Sequence, residues 1–416
     1  MKTLAIIGGK PLAPKGPKIA WPQVTAADVK AVSRVAQNGK WWRYDGDEVS
    51  RFEGSFARFH DAKHCLGVVN GTVAIEVALK ACGIEPGDEV IVPSVTFIAS
   101  ASAVLMAQAV PVFADILEDT CQIDPADVEK KVNRRTKAIL VVHYGGYPVD
   151  MDAIKRIARK HSLRVIEDCA HAQGSQWRGR GVGAIGDIGT FSFQQSKSLT
   201  CGEGGAVVTN SRDLYENAYA YHHIGRSLES AKYEHSIVGP NYRITEFQGA
   251  VLRTQLAKLP RQVAARMANL DKLREGLGNI PGIKMLKEDS RITRRGMYFA
   301  VLRFDKNVWG ISRDTFVKAV VAEGPSRHWW VGAGYGMPVY NLPAFKEMSF
   351  GKKGCPLSCG HYKGKMDYSK VVCPAAEKVS YHQHITIDHN MLLHAANTGL
   401  LLRIIRKVWK HRSDLQ

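Results

Sequence analysis

The sequence predicts an α/β protein, with a large domain on a mostly parallel, doubly wound sheet and a smaller α+β domain after it. Three observations predict this. From about residue 68 to 210, short apolar runs alternate with helical patterns. Alternation with connections of that length is the pattern of a parallel sheet wound on both faces. Several runs are apolar throughout, as expected of strands covered on both sides. The 416 residues, 45% hydrophobic and 23% charged, are enough for two domains with ordinary cores.

In chain order, strands are expected at 66–69, 89–92, 110–113, 138–142, 164–166 and 206–208. Helices are expected at 72–82, 98–108, 125–132 and 151–161. A long helical pattern over 246–273 continues despite Pro260 and bridges to the second part. The division is therefore placed at 1–260 for the large domain with its N-terminal segment, and 261–416 for the smaller one. The latter carries strands near 297–304, a helix near 314–323 and a terminal helix around 391–410. Residues 343–371 are basic and Gly/Cys-rich, with Lys352, Lys353, Lys363, Lys365 and Lys370, and read as a long loop of the kind that is uncommon unless functional.

Composition narrows the function. Lys and Arg number 57 against 39 Asp and Glu, a net charge of +18. That is compatible with anionic partners such as phosphorylated cofactors, nucleotide-linked substrates or nucleic acid, but a solvated basic surface is the favoured reading, because net charge alone says nothing about a site. The apolar run at 4–7 is too short for a signal segment, and 97–114 is broken by Ser100, Ser102, Gln108 and Pro111. Five of the eight cysteines sit singly in apolar or glycine-rich surroundings, as reduced thiols do. A cytoplasmic protein, with neither membrane nor nucleic-acid partners, is expected. Two motifs are decoys. Gly181-Val182-Gly183-Ala184-Ile185-Gly186 lacks the preceding strand and following helix that a dinucleotide site requires. Cys355, Cys359 and His361 match no common zinc spacing, so no metal is expected.

Ligands in such sheets sit beyond the C-terminal strand ends, and the residues there are informative. Asn70-Gly71-Thr72 follows the first strand and opens a helix, where N–H groups and a hydroxyl can meet an anion or simply cap the helix. Glu167-Asp168-Cys169-Ala170-His171 follows the fifth, and such a carboxylate is either a cap or the partner of a cationic ring nitrogen. Lys197 lies between Ser192 and Gly202-Glu203-Gly204-Gly205. It is either an ordinary surface lysine or a Schiff-base lysine.

Together these segments resemble the DegT/DnrJ/StrS-type sugar aminotransferases, pyridoxal-phosphate (PLP) enzymes of the aspartate-aminotransferase fold (fold type I). Further segments carry the resemblance. They are Pro86-Gly87-Asp88-Glu89-Val90-Ile91-Val92-Pro93 with Thr96-Phe97, and Asn241-Tyr242-Arg243 with Glu246. The stretch from Phe191 to Thr209 is similar to glutamine:scyllo-inosose aminotransferases. Gly39-Lys40-Trp41-Trp42-Arg43 and Gly46-Asp47-Glu48-Val49 look like 3-amino-5-hydroxybenzoate synthase.

The resemblance implies residue roles. Lys197 is the Schiff-base lysine and proton shuttle. Asp168 pairs with the pyridine nitrogen, Phe97 stacks on the ring and His171 contacts it. Gly71, Thr72 and Ser192 hold the phosphate, and Asn241 reaches the other subunit's cofactor, which implies a homodimer. Trp41, Trp42 and Arg43 are expected to line the acceptor pocket. The implied reaction moves an amino group from glutamine or glutamate to a keto group of a cyclitol or keto-sugar, with the pyridoxamine form (PMP) between the two halves. Alternatives are an aromatising or dehydrating enzyme, a nucleotide-sugar aminotransferase, and a non-catalytic regulatory protein on the same scaffold. The dehydratase branch has His where this chain keeps Lys197.

Overall fold

A seven-stranded sheet carries the large domain. The computed structural model describes residues 3–231, 233–350 and 354–416. In chain order the strands are β1 (His64–Val68), β2 (Glu89–Pro93), β3 (Val110–Ala114), β4 (Thr136–Val142), β5 (Arg164–Asp168), β6 (Ile188–Ser192) and β7 (Gly205–Thr209). Their spatial order is β1-β7-β6-β5-β4-β2-β3. The pairs β6–β5, β5–β4, β4–β2 and β2–β3 are parallel. β7 runs antiparallel to both of its neighbours. The C-terminal ends of β5 and β6 therefore open side by side on one rim; β6 is not among the strands expected from the sequence.

Alternate side chains of each strand go to opposite faces, and both faces are covered. Val90 and Val92 join one buried cluster, and Ile91 the other. Leu140 and Val142 likewise part from Ile139 and Val141. The helix Gly71–Ala81 packs on the first face, the helix Met151–His161 on the second. Two helices absent from the sequence reading, Ala26–Asn38 and Glu48–Phe59, pack against the long helix Glu246–Leu277.

That long helix is continuous through Pro260. Its Leu252, Leu256, Leu259 and Val263 serve the large-domain core, while Leu270, Leu273 and Leu277 serve a third cluster. Residue 260 thus lies inside a shared helix. The third cluster joins Phe304, Trp309, Phe316, Trp330, Ile385 and Ile387 with Leu4 from the N-terminal segment. Its sheet contains β8 (Ile283–Met285), β9 (Phe299–Phe304), β10 (Val331–Gly332) and β11 (His384–Asp388), in the order β8-β9-β11-β10. Among the described residues no helix is long and apolar enough to cross a membrane.

The segment expected as a long loop at 343–371 contains a short helix, Pro343–Lys346, and a turn, Tyr368–Lys370. Phe345 and Tyr368 pack edge-on against Phe113 of the sheet's edge strand, and Tyr368 donates to the Pro111 carbonyl at 2.9 Å. The aromatic contacts explain why so polar a segment is anchored. Cys355 and Cys359 form a disulfide. Lys352 and Lys353 lie outside the described residues.

Beneath the rim, Glu167 is fully buried beside Asp168. Its carboxylate accepts from His143 Nε2 at 3.0 Å and from the N–H groups of Gly183, Ile185 and Gly186 at 2.6–2.9 Å. Burial pushes this carboxyl up, but the hydrogen bonds from His143, Gly183 and Gly186 outweigh it and hold the group below the ordinary carboxylate value. The Gly-rich stretch that mimics a dinucleotide motif thus wraps a buried carboxylate. Glu167→Ala strands these donors without solvent. It should cost about 3–5 kcal/mol, read as a lower urea midpoint. An unchanged midpoint would refute this role.

Candidate active site

A cavity of about 720 Å³ opens at the rim where β5 and β6 end. It collects Gly71, Thr72, Phe97, Asp168, His171, Ser192 and Lys197, residues spread over more than a hundred positions of sequence. Each arrives by a local device. Asn70 caps the helix Gly71–Ala81 by accepting from the Val73 N–H at 2.9 Å. The first N–H groups of that helix have no intrahelical acceptor and belong to residues lining the cavity. A Cβ at Gly71 would lie 2.7 Å from the Ser192 Cβ. Only glycine allows the helix start and the end of β6 to approach so closely, which brings backbone N–H groups and the Ser192 hydroxyl to one cavity, a donor set that suits an anion.

Asp168 ends β5. Its carboxylate accepts from Ser100 Oγ at 2.7 Å and from the Ala170 N–H at 3.0 Å. Burial pushes its pKa up, while Ser100, the Ala170 N–H and the charge of Lys197 oppose the rise. Such a group stabilises a cation brought next to it.

Lys197 follows β6 in a turn held by Gln173, which donates to the Ser192 carbonyl at 2.7 Å and accepts from Ser198 Oγ at 2.9 Å. The ammonium lies 4.0 Å from the Tyr298 ring centre. The side chain is partly open to the cavity but walled by protein, and this burial pushes its pKa down to about 8 against the pull of Asp168. His171 is buried, stacks on Tyr298 at 4.7 Å and meets the Tyr335 hydroxyl at 3.1 Å. Phe97 is half exposed on the cavity wall, 5.7 Å from the Tyr335 ring.

Four expected residues lie elsewhere. Asn241 is exposed and bridges to His223. Trp41 and Trp42 are about half exposed outside the cavity. Arg43 is buried, paired with Glu53 at 2.9 Å and donating to the Gly67 carbonyl at 3.1 Å. Its charge is spent on the core, so within this chain it does not reach the cavity. The sequence reading missed Tyr298 and Tyr335, which arrive from the second part of the chain. It also missed Thr96, Ser100, Gln194 and Glu203 as lining residues. Ser100 had left a faint trace, as one of two serines in a largely apolar helix.

The lysine carries a pH prediction. A pKa near 8 leaves about one amine in ten neutral at pH 7, against roughly one in 2,500 for an ordinary lysine. Only the neutral amine attacks a carbonyl. In the apo-protein, the labelling of Lys197 by pyridine-4-carboxaldehyde and cyanoborohydride should climb with pH and level off just above 8, while surface lysines continue to climb. A Lys197 profile still rising at pH 10 would contradict its buried setting.

An activated amine, a buried carboxylate and a donor set suited to an anion line one cavity. Comparisons with known proteins identify the family. Residues 22–366 match the model of the DegT/DnrJ/EryC1/StrS aminotransferase family. The chain is 35% identical over 435 residues to L-glutamine:2-deoxy-scyllo-inosose aminotransferase of Micromonospora echinospora, covering 100% of both chains. It is 43% identical over 286 residues to 3-amino-5-hydroxybenzoate synthase of Amycolatopsis mediterranei (strain S699), covering 68% of this chain and 74% of that one. The crystal structure of a 3-amino-5-hydroxybenzoic acid synthase superposes with a TM-score of 0.85 at 35% identity, covering 96% of this chain and 100% of the other. The chain belongs to the DegT/DnrJ/EryC1/StrS aminotransferase family and is a PLP-dependent aminotransferase.

Proposed function

We propose that this enzyme moves an amino group from glutamine to the keto group of a neutral, polyhydroxylated ring, a cyclitol ketone. One observation carries the choice of acceptor. Among the described residues lining the cavity, Lys197 is the only lysine or arginine. A nucleotide-linked ketone brings a diphosphate, which calls for basic side chains, whereas a neutral ring ketone does not. Lys363, Lys365 and Lys370 of the basic segment are absent from the lining. The full-length similarity to a glutamine:2-deoxy-scyllo-inosose aminotransferase supports the same donor and acceptor class.

The donor set fits the cofactor. The Gly71–Ser192 cradle, too tight for a Cβ, suits its phosphate, with Thr72 adding a hydroxyl. Asp168 suits its cationic ring nitrogen, and Phe97 and His171 suit its ring. When bound, the cofactor supplies an electron sink for the carbon that loses or gains the amino group. The chain's residues do the rest. Lys197 Nζ takes the proton from the carbon bearing the donor's amino group, then returns one to the acceptor's former carbonyl carbon. Asp168 stays ionised opposite the ring nitrogen, with Ser100 and the Ala170 N–H fixing its oxygens. The cavity's apolar wall limits competing water.

The working unit is proposed to be a cytoplasmic homodimer with a large domain at 1–260 and a smaller one at 261–416. Asn241, Trp41 and Trp42 are exposed outside this chain's own cavity, where a second subunit can use them.

The test is amine transfer from glutamine to scyllo-inosose beside a panel of nucleotide-linked keto-sugars, at 0.1 M and 1 M salt. Over that range screening shortens from roughly 10 Å to 3 Å. The cyclitol ketone should be the preferred acceptor, with kcat/KM changing less than about twofold, since a neutral substrate is not steered. Turnover confined to nucleotide-linked ketones, falling steeply with salt, would overturn the reading. The same preparation should sediment as a dimer, and a fully active monomer would refute the assembly.

A further inference from the structure

The protons of the cavity's hydroxyl groups can be accounted for one at a time, because each hydroxyl has one to give. Ser100 donates to Asp168 at 2.7 Å, so at the 2.8 Å contact between Thr96 and Ser100 the proton is that of Thr96. The backbone N–H of Ser196 donates to Gln194 Oε1 at 2.8 Å, which fixes that atom as the amide oxygen. Ser196 Oγ donates to the same oxygen at 2.7 Å. The 2.9 Å contact between Ser196 and Tyr298 is therefore a donation by Tyr298. Thr72 and Ser192 belong to the anion cradle.

Tyr335 remains. Its partner is His171 Nε2 at 3.1 Å. The Gly145 N–H points at His171 Nδ1, at 3.4 Å, so Nδ1 is the acceptor nitrogen. In a neutral imidazole the other nitrogen then carries the proton. Burial and the nearby Lys197 charge keep His171 well below its ordinary pKa, so the ring is neutral. His171 Nε2–H thus donates to the Tyr335 oxygen, and the Tyr335 proton is unspent.

The turn that carries Tyr335 is built for the purpose. It follows β10 and is flanked by Gly334 (φ +66°) and Gly336 (φ +80°). A Cβ at Gly334 would lie 2.2 Å from His384 Nδ1, so only glycine serves. The phenol ring is wedged beside Phe97, Tyr144 and His171 at 5.7–6.3 Å between ring centres. Burial, with smaller contributions from the Tyr298 phenol and Asp168, pushes its pKa well above the ordinary value, so it stays a donor at working pH.

We infer that Tyr335 is a substrate-recognition residue, whose hydroxyl donates to an oxygen of the polyhydroxylated ring ketone while His171 orients it. The assignment rests on the proposed acceptor class and deepens it. A hydroxyl-bearing ring offers lone pairs beside the reacting carbon, and among the described residues Tyr335 is the lining hydroxyl outside the cradle with a proton to give.

The experiment compares the two half-reactions of the holoenzyme, wild type against Tyr335→Phe, by following the cofactor's absorbance under single-turnover conditions. Phenylalanine keeps the ring packing and removes the hydroxyl alone. The half-reaction with scyllo-inosose should lose kcat/KM by on the order of 10-fold more than the half-reaction with glutamine. Equal losses in both halves would overturn the assignment. So would a shifted cofactor absorbance before any substrate is added, which would mean that the phenol serves the cofactor. A wild-type enzyme that does not aminate scyllo-inosose defeats the proposed function and with it the ring-ketone assignment. Equal losses in a competent wild type defeat the role of Tyr335 alone.

Discussion

Everything at this site depends on holding an amine and a carboxylate in one desolvated cavity without letting them neutralise each other. Burial pushes the Asp168 pKa up and that of Lys197 down, and each charge resists the shift of the other. The balance is set by fixed partners. Asp168 has both oxygens committed, to Ser100 and to the Ala170 N–H. Lys197 has the face of Tyr298 beside it. The carboxylate is thus held for a cation that is brought to it, while the amine keeps a useful neutral fraction near pH 7.

The fold supplies the rigidity this requires. β5 and β6 pair in parallel, with Asp168 opposite Thr190, so the ends that carry Asp168 and Ser192 are set by backbone hydrogen bonds. Buried Glu167 ties the loop at 183–186 beneath that rim. The second part of the chain closes the cavity with Tyr298 and Tyr335, and the long helix Glu246–Leu277 joins the two cores. Donor-bearing residues on strands and an adaptable wall from another region are a common division of labour in α/β enzymes.

Much of this was legible in the sequence, for identifiable reasons. The parallel sheet showed because its strands are apolar on both faces. Lys197, Asp168 and the Gly71-Thr72 turn drew notice because each follows a strand, but position alone left each with an ordinary structural reading, and their roles came only through the family resemblance. Tyr298 and Tyr335 left no such trace, since only tertiary packing brings them to the cavity. Arg43 shows the opposite failure, because the direction of its side chain, inward to Glu53, cannot be read from neighbours in sequence. The helix Ala26–Asn38 could have been found. Thr25 and Asp28 form a capping box, but the emphasis on apolar periodicity passed over it.

Lys197 is proposed as the residue through which this cavity holds its cofactor. The most direct measurement is borohydride reduction of the purified holoenzyme, followed by digestion and mass spectrometry. One pyridoxyl-phosphate adduct is expected, on Lys197, with the visible absorbance lost as it forms. An adduct on any other lysine, with Lys197 unmodified, would contradict this assignment.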